Sequence, residues 1–265
     1  MLICRYQSES GPRWGLIENG IVYGLTGDPF SSMALEGRAL HPTLERGAPI
    51  GALGEVSLLA PFVGTKVLAI GRNYAAHAAE HGSTVPEEPL VFLKPTSSVI
   101  GPGTPIEILP EMQLVEHEAE LAVVIGQRGR FIREEEALHH VFGYTCANDV
   151  SERVYQRKDG QWTRAKGFDT FCPLGPWIQT ALDPADVRVQ CRVNGSLRQD
   201  ARTRDMVYKV PRLIAHISRI MTLEAGDVIL TGTPEGVGPL HANDIVEVEI
   251  EGIGVLVNPV VRREA

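Results

Sequence analysis

Short apolar or alternating runs, separated by turn residues, make up most of this chain and predict a mainly β protein. Hairpins are indicated where Asn-Gly pairs separate apolar segments, because both positions of such a turn adopt positive φ. Another alternating run turns near Gly252. The predicted strands and hairpins lie at 14–25, 67–71, 90–95, 120–126, 143–149, 187–200, 227–232 and 244–261.

Three helices are predicted, and they do not alternate with the strands. Asn73 is a candidate N-cap for a helix over 73–82, an acidic start favours a helix over 133–142, and an apolar stripe favours one over 211–223. A doubly wound parallel sheet is therefore not expected. The fold class indicated is α+β, mainly β, with few helices.

The first 60 residues are predicted to form a small β-rich domain, followed by a main domain over 61–265. Residues 26–55 are rich in Gly, Pro and Ser and carry little periodicity, and residues 58–66 are typical of a linker. A chain of 265 residues is long enough for such a division into a small and a large unit.

The composition of the chain limits the kinds of molecule that the protein is expected to bind and the compartment in which it is expected to occur. The formal net charge of −8 argues against nucleic acid, which needs a basic surface. No apolar run approaches the roughly 20 residues of a membrane span, and the first ten residues lack the apolar region of a signal peptide, so a cytoplasmic protein is expected. The four cysteines are widely spaced and include no CxxC pair, which predicts free, buried thiols and not a zinc–thiolate site.

Three glutamates occupy every second position in VEHEAELAVVIG (115–126). On a strand, Glu116, Glu118 and Glu120 would share one face, with neighbours about 6.6–6.8 Å apart. Such a face is either solvated or one half of a site for a divalent cation. The alternating glutamates at 247–251 show that spacing alone does not decide between the two, because that stretch is typical of a plain solvated strand face.

Two further segments carry polar residues suited to chemistry. On a helix His77 and Glu80 would share a face, as a general base with its orienting carboxylate or as a plain surface pair. The loop after Asp149 carries Arg153, Gln156 and Lys166 among aromatic residues, which suits either a carboxylate-bearing small molecule or a solvated loop. The Gly-rich stretch LTGTPEGVGP (230–239) lacks a P-loop ending but could cradle an anion with its backbone N–H groups.

Six stretches, taken in order, resemble the fumarylacetoacetate hydrolase family, and the first 60 residues look like the small extra domain of a bacterial branch of that family. The resemblance implies the fold of the family's C-terminal domain, a mixed β-roll or sandwich. The stretches are AIGRNYAAHAAEHG, PLVFLKPTSSVIGPG, VEHEAELAVVIG, GYTCANDVSERVYQ, QWTRAKGFDTFCPLGPW and VILTGTPEGVGP, spanning roughly residues 67–240.

The same resemblance implies a role for individual residues. Mg²⁺ or Mn²⁺ would be held by the E-x-E pair and a later aspartate, which here are Glu118, Glu120 and Asp149, with Glu116 left outside as a solvated or supporting residue. The catalytic residues implied are His77 and Glu80 on a short lid helix, together with Lys94 and Lys166. The substrate-binding residues implied are Arg72, Tyr74, Arg153, Gln156, Lys166 and Thr233.

The activity expected from the resemblance is metal-dependent hydrolysis of the C–C bond of acylpyruvate-type 2-oxo acids, such as fumarylpyruvate, through a metal-held enolate. The alternatives are an isomerase or tautomerase of 2-hydroxyhepta-2,4-diene-1,7-dioate type, an oxaloacetate decarboxylase in aromatic catabolism, and a metal-binding protein without catalysis. A homodimer is also implied. Many relatives read TARD after the metal-binding aspartate where this chain has Ser, Glu, Arg and Val at 151–154, so the substrate is the least determined part.

Overall fold

The computed structural model describes residues 1–30, 33–36, 39–42 and 44–264. Strands contain far more of these residues than helices do, as predicted. The first half contains β1 (Leu2–Ser8), β2 (Gly11–Glu18), β3 (Ile21–Leu25), β4 (Met33–Glu36), β5 (Ala39–Pro42), β6 (Arg46–Ala52), β7 (Leu58–Leu59), β8 (Val67–Gly71), β9 (Leu90–Lys94), β10 (Val99–Ile100), β11 (Ile106–Ile108), β12 (Val115–His117) and β13 (Ala119–Ile125).

The second half continues the same sheets. Its strands are β14 (Val141–Asn148), β15 (Ser151–Glu152), β16 (Cys172–Gln179), β17 (Arg188–Val193), β18 (Ser196–Arg202), β19 (Val228–Leu230), β20 (Gly238–Pro239), β21 (Ile245–Ile250) and β22 (Gly254–Arg262). The α-helices are α1 (Ala75–Glu80), α2 (Arg153–Asp159), α3 (Thr163–Lys166) and α4 (Val210–Ile220), and 3₁₀ helices cover Leu53–Glu55, Thr96–Ser98, Glu134–His140 and Thr203–Asp205. No described helix is both long enough and apolar enough to cross a membrane.

A large twelve-stranded sheet and a five-stranded sheet form the body of the protein. The large sheet runs β6-β3-β2-β1-β16-β14-β13-β19-β8-β9, with β7 and β10 paired at its side, and the smaller one runs β11-β22-β21-β17-β18. The main core lies between them, where Leu121 and Cys146 belong to the same buried cluster as Val189 and Val248. Strand β13 is buried along its whole length, so whatever it carries lies inside the protein.

The predicted hairpins are confirmed. Asn19 and Gly20 have φ of 50° and 75°, and Asn194 and Gly195 have φ of 51° and 74°, as their turns require. The alternating strand β21 buries Val246, Val248 and Ile250, leaves Glu247 and Glu249 half-buried, and is followed by the exposed Glu251. All four cysteines are free and buried, as expected.

The helix predictions need three corrections. Asn73 is not an N-cap, because its side chain instead donates to the backbone carbonyls of Tyr208 and Thr231. The segment predicted as a helix over 133–142 is a 3₁₀ helix over Glu134–His140, in which Ala137 alone is buried, so no apolar stripe supports a longer α-helix. The loop predicted after Asp149 contains α2 and α3, and α2 begins where the Glu152 side chain accepts a hydrogen bond from the Tyr155 N–H.

The N-terminal strands extend the large sheet. Strand β1 pairs with β16 at Leu2–Gln179 and Ile3–Ile178. Strand β6 lies within residues 26–55, where the sequence showed little periodicity and no strand was predicted. Residues 31–32, 37–38 and 43 of that stretch lie outside the described residues. Leu58 and Leu59, in the predicted linker, pair with β1. The division of the chain at residue 60 stays a prediction.

Candidate active site with a carboxylate triad

Three buried carboxylates meet where two strands of the large sheet end. Glu118 lies at the break between β12 and β13, Glu120 is the second residue of β13, and Asp149 directly follows β14. The two strands pair with Ala119 opposite Asn148, and the Asp149 N–H donates to the Glu118 carbonyl over 2.9 Å. One oxygen from each carboxylate lies within 4.8 Å of the others. We call these three residues the carboxylate triad.

Three buried cations pair with two of the triad's carboxylates, Glu118 and Asp149. Lys94 Nζ lies 2.5 Å from Asp149 Oδ1. Lys166 Nζ lies 2.6 Å from Asp149 Oδ2 and 2.7 Å from Glu118 Oε2. Arg153 Nη2 lies 2.6 Å from Glu118 Oε1. Buried charges are stable only when they are paired in this way, so the cluster is a preformed ionic network.

Glu116 lies on the same side of the chain but outside the triad. Its Oε2 accepts a hydrogen bond from Arg153 Nε over 2.6 Å, while Arg153 Nη1 donates to Gln156 Oε1 over 2.9 Å. Glu116 therefore fixes the guanidinium that contacts Glu118, a supporting position and not a solvated one.

The pKa values of Glu118 and Glu120 are shifted in opposite directions. Burial would raise the pKa of Glu118, but the adjacent Lys166 and Arg153 outweigh it and hold the pKa well below its ordinary value. Burial raises the pKa of Glu120 well above its ordinary value, and the neighbouring Asp149 and Glu118 raise it further. The Gly232 N–H donates a hydrogen bond to Glu120 Oε2 over 2.5 Å.

The triad could hold a divalent cation. All of its donors are carboxylate oxygens, the ligands that Mg²⁺ and Mn²⁺ prefer. Three carboxylates this close repel one another unless a cation lies among them. Glu120, whose pKa is raised by burial and further by that repulsion, lacks an ion pair among the described residues. The donor set therefore fits a hard divalent ion.

His77 and Glu80 lie on α1, across the cavity from the triad. His77 is 7% exposed, and its Nδ1 lies 3.5 Å from Glu80 Oε2 without the alignment of a hydrogen bond. The Gly236 N–H donates to both Glu80 oxygens, over 3.2 and 3.3 Å, and so holds the carboxylate beside the ring. Burial lowers the pKa of His77 to about 4, although Glu118 opposes the shift, so the imidazole is neutral at physiological pH.

One cavity of about 280 Å³ connects these groups. It contains residues from each part of the predicted site, but Tyr74, Lys94, Glu80 and Glu120 are not among those that line it. Tyr74 is 2% exposed, and the Thr233 hydroxyl, which reaches the wall, donates to the Ala119 carbonyl over 2.8 Å. The lining residues are Ile70, Gly71, Arg72, His77, His81, Ser83, Phe92, Glu118, Asp149, Arg153, Gln156, Arg157, Trp162, Lys166 and Thr233.

Sequence reasoning missed Arg157 and His81. Arg157 lies one helical turn after Arg153 on α2, and that spacing was not recognised because the segment was predicted as a loop. His81 lies four residues after His77, and its ring centroid is 4.7 Å from that of His77. The spacing HAAEH, visible in the sequence, was the available signal.

Comparison by sequence places the chain among known proteins. Residues 66–261 match the fumarylacetoacetate (FAA) hydrolase C-terminal family, and residues 1–61 match the Rv2993c-like, N-terminal family. The chain is 46% identical to protein Rv2993c of Mycobacterium tuberculosis, over 99% of both chains. It is 48% identical to the mitochondrial oxaloacetate tautomerase fahd2 of Xenopus laevis, over 82% of this chain and 72% of that protein.

Solved structures give the same grouping. A 5-carboxymethyl-2-hydroxymuconate delta-isomerase from Mycobacterium smegmatis is 45% identical, with a TM-score of 0.89 over 99% of this chain and 100% of that chain. A fumarylpyruvate hydrolase from Pseudomonas aeruginosa, solved with Mn²⁺ and pyruvate, is 31% identical, with a TM-score of 0.72 over 76% of this chain and 91% of that chain.

Proposed function

The chain belongs to the fumarylacetoacetate hydrolase family, and from its site we propose that it is a divalent-metal-dependent hydrolase that cleaves C–C bonds of acylpyruvate-type 2-oxo acids. The observation that carries the proposal is the position of His77. A buried, neutral imidazole backed by Glu80 faces the same cavity as Glu118 and Asp149. A base and an anion-stabilising centre on one small cavity are what the cleavage of an activated C–C bond requires.

In this proposal Mg²⁺ or Mn²⁺ belongs to Glu118, Glu120 and Asp149, and when bound it supplies Lewis-acid stabilisation of negative charge on the 2-oxo acid. Lys166 and Arg153 line the cavity beside the triad and offer charge-assisted hydrogen bonds to the substrate's carboxylate. Lys94 is buried behind them and holds Asp149 in place. Lys166, Arg153 and Gln156 orient the substrate, and the cavity is also lined by Arg72 and Thr233.

His77 carries the proton transfer. Because Nδ1 faces Glu80, Nε2 is the atom that takes a proton from water. The water oxygen bonds to the distal carbonyl carbon, and the bond from that carbon to the adjacent methylene breaks. The electron pair passes to the pyruvate fragment as its enolate, which takes the proton back from the imidazolium. The products are pyruvate and a carboxylic acid, which then loses its proton to the solvent, so atoms and charge balance.

A second candidate is keto–enol tautomerisation or double-bond isomerisation. It is favoured by the relatives named as an oxaloacetate tautomerase and a delta-isomerase, at 48% and 45% identity. The same Nε2 would move a proton between two substrate atoms without adding water. In oxaloacetate decarboxylation the bond to the distal carboxylate breaks without attack by water, carbon dioxide leaves, and the pyruvate enolate that remains takes up a proton. These reactions share the triad and the base, so product analysis must separate them.

The test is a turnover panel with Mg²⁺ or Mn²⁺, and with EDTA as the control. Its substrates are acetylpyruvate, fumarylpyruvate, oxaloacetate and 2-hydroxyhepta-2,4-diene-1,7-dioate. EDTA-sensitive pyruvate release from an acylpyruvate supports the hydrolase. A change in the ultraviolet spectrum of the dienoate or of enol-oxaloacetate without cleavage supports the second candidate, and carbon dioxide release alone supports a decarboxylase. No metal-dependent turnover would contradict all three. The homodimer stays a prediction that sedimentation can test.

A further inference from the structure

A second group of metal-ligating side chains lies on α1, apart from the carboxylate triad. His77, Glu80 and His81 stand three and four residues apart on one face, and the His81 N–H donates to the His77 carbonyl, which continues the helical turn through His81. One ligand atom from each residue lies within 4.8 Å of the others. We propose that these three residues form an inhibitory site for a borderline divalent cation such as Zn²⁺. We call it the α1 site.

The spacing of His77 and Glu80 suits zinc. Two ligands that lie about 2.0–2.1 Å from a tetrahedral zinc ion are about 3.4 Å from each other. His77 Nδ1 and Glu80 Oε2 are 3.5 Å apart, close to that spacing and too poorly aligned for a hydrogen bond. His81 lies at the side of the same pair, with its ring nearly perpendicular to that of His77 at an interplanar angle of 71°. Two imidazoles and a carboxylate leave a fourth position for water.

His77 Nδ1 is a buried polar atom without a hydrogen-bond partner among the described residues. A buried nitrogen in that state costs free energy, which a ligand would recover. Glu80, in contrast, is fixed from behind by the Gly236 N–H. Gly236 can be only glycine at this place, because its φ is +89° and an added Cβ would lie 2.2 Å from the Arg198 carbonyl oxygen. The carboxylate is therefore positioned before any ion arrives, in the way that hydrogen bonds from surrounding groups orient metal ligands.

The two clusters select different ions. The triad offers oxygen alone and suits hard cations, whereas two imidazole nitrogens favour zinc, copper, nickel or cobalt over magnesium. Zinc on Nδ1 would also leave the proton of a neutral imidazole on Nε2. Nε2 then has no lone pair with which to accept a proton. The inhibition, though not the binding, rests on the proposed role of His77 as the base.

Calorimetric titration of ZnCl₂ into protein saturated with Mg²⁺ tests the binding directly. The wild type should take up one Zn²⁺, and His81→Gln should weaken that binding at least about tenfold, since even supporting contacts are worth 10–100-fold in metal affinity. His241→Gln is the matched control, because His241 is exposed and lies outside the cavity. Equal zinc affinity in His81→Gln and the wild type would overturn the proposal.

A second variant separates the two clusters. Glu118→Gln alters the triad and leaves the α1 site, so it should still bind one Zn²⁺ after circular dichroism has shown that it folds. If a folded Glu118→Gln variant does not bind zinc while His81→Gln still binds it, zinc binds at the triad and the proposal of an α1 site is overturned. Turnover under the same conditions, with excess Mn²⁺, should be inhibited by zinc in the wild type and at least about tenfold less sensitively in His81→Gln. The zinc titrations test binding at the α1 site even if the protein turns over no substrate in the panel.

Discussion

Lys94 Nζ lies 2.5 Å from Asp149 Oδ1, with both side chains at most 2% exposed. An ammonium ion thus occupies one oxygen that the proposed cation would need. Removing one partner of a buried pair costs about 3–5 kcal/mol, so Lys94→Met should lower the stability of the metal-free protein by about 3 kcal/mol, because Asp149 retains Lys166. With one positive charge fewer, the variant should bind Mn²⁺ more tightly than the wild type.

Thermal unfolding with and without Mn²⁺ measures both effects of Lys94→Met. The metal-free melting temperature should fall, and Mn²⁺ should raise it by more than it raises that of the wild type. An unchanged metal-free melting temperature would show that Lys94 and Asp149 do not stabilise each other.

Glu120 and Glu118 should respond differently to the same substitution. Glu120→Gln keeps an acceptor for the Gly232 N–H and breaks no ion pair in the described structure, whereas Glu118→Gln weakens contacts to Arg153 and Lys166. Both variants should lose Mn²⁺ affinity at least about tenfold. Only Glu118→Gln should lose about 3 kcal/mol of stability. Calorimetry and urea unfolding check these outcomes, and undiminished Mn²⁺ binding by both variants would place the ion elsewhere.

His77→Gln should remove the proposed base without disturbing the triad. Loss of a general base lowers kcat by about 10²–10⁴-fold, while KM and Mn²⁺ affinity should change little because other residues hold the substrate and the ion. Steady-state kinetics on whichever substrate the panel identifies measures the effect. His241→Gln provides the control for a surface histidine. Turnover by His77→Gln at the wild-type rate would assign the base to another residue.

The buried cysteines predict a loss of stability in alkali. Burial raises the pKa of Cys4, Cys146, Cys172 and Cys191 to about 12, from 9.0 for an ordinary thiol. Above pH 9 the unfolded chain releases thiol protons that the folded chain keeps, so stability should fall as pH rises from 9 toward 12 and is unaffected by these groups below 9. At pH 8 the folded protein should leave all four thiols unreactive toward Ellman's reagent, with reaction on unfolding. Fast reaction of native thiols would contradict their burial.

Local signals were sufficient for the elements that depend on neighbouring residues. The turns at Asn19-Gly20 and Asn194-Gly195 follow from the φ that their residues must adopt, and α4 follows from its apolar stripe. Helix α2 was missed because Arg153 is the one buried residue among its seven, so the sequence has no apolar stripe there. Arg153 is paired with Glu116 and Glu118. A segment that is buried by charges does not show a hydrophobic period.

Contacts between distant residues could not be predicted from local pattern. The pairing of β1 with β16 joins the N-terminal strands to the rest of the large sheet. No local feature of Leu2 or Ile3 indicates that these residues pair with β16. The spacing of Glu118 and Glu120 did not decide between a solvated face and a cation site, and taken alone it favours the solvated face. Their grouping with Asp149 came from the family resemblance, and the pairing of β13 with β14 gives its physical cause.

The mouth of the cavity carries two arginines without a carboxylate partner in the part of the chain that is described, Arg72 and Arg157. Arg72 has a φ of 58°, a costly backbone state for a side-chain-bearing residue, and its guanidinium lies 5.9 Å from the Trp162 ring centroid. A substrate with a second carboxylate could pair with these cations while its 2-oxo acid end lies at the triad. Dicarboxylate 2-oxo acids should therefore be preferred over acetylpyruvate.

Arg157→Gln should raise KM for a dicarboxylate substrate such as fumarylpyruvate about tenfold, the effect of losing about 1.4 kcal/mol from one charge-assisted contact. KM for acetylpyruvate, which has no distal carboxylate, should not change, and neither kcat should. Lys158→Gln is the matched control, because Lys158 is exposed on the same helix and does not line the cavity. An equal rise in KM for both substrates would mean that Arg157 binds the 2-oxo acid end. An equal rise in KM in Lys158→Gln would mean that the effect of Arg157 is a long-range effect of its charge and not a direct contact.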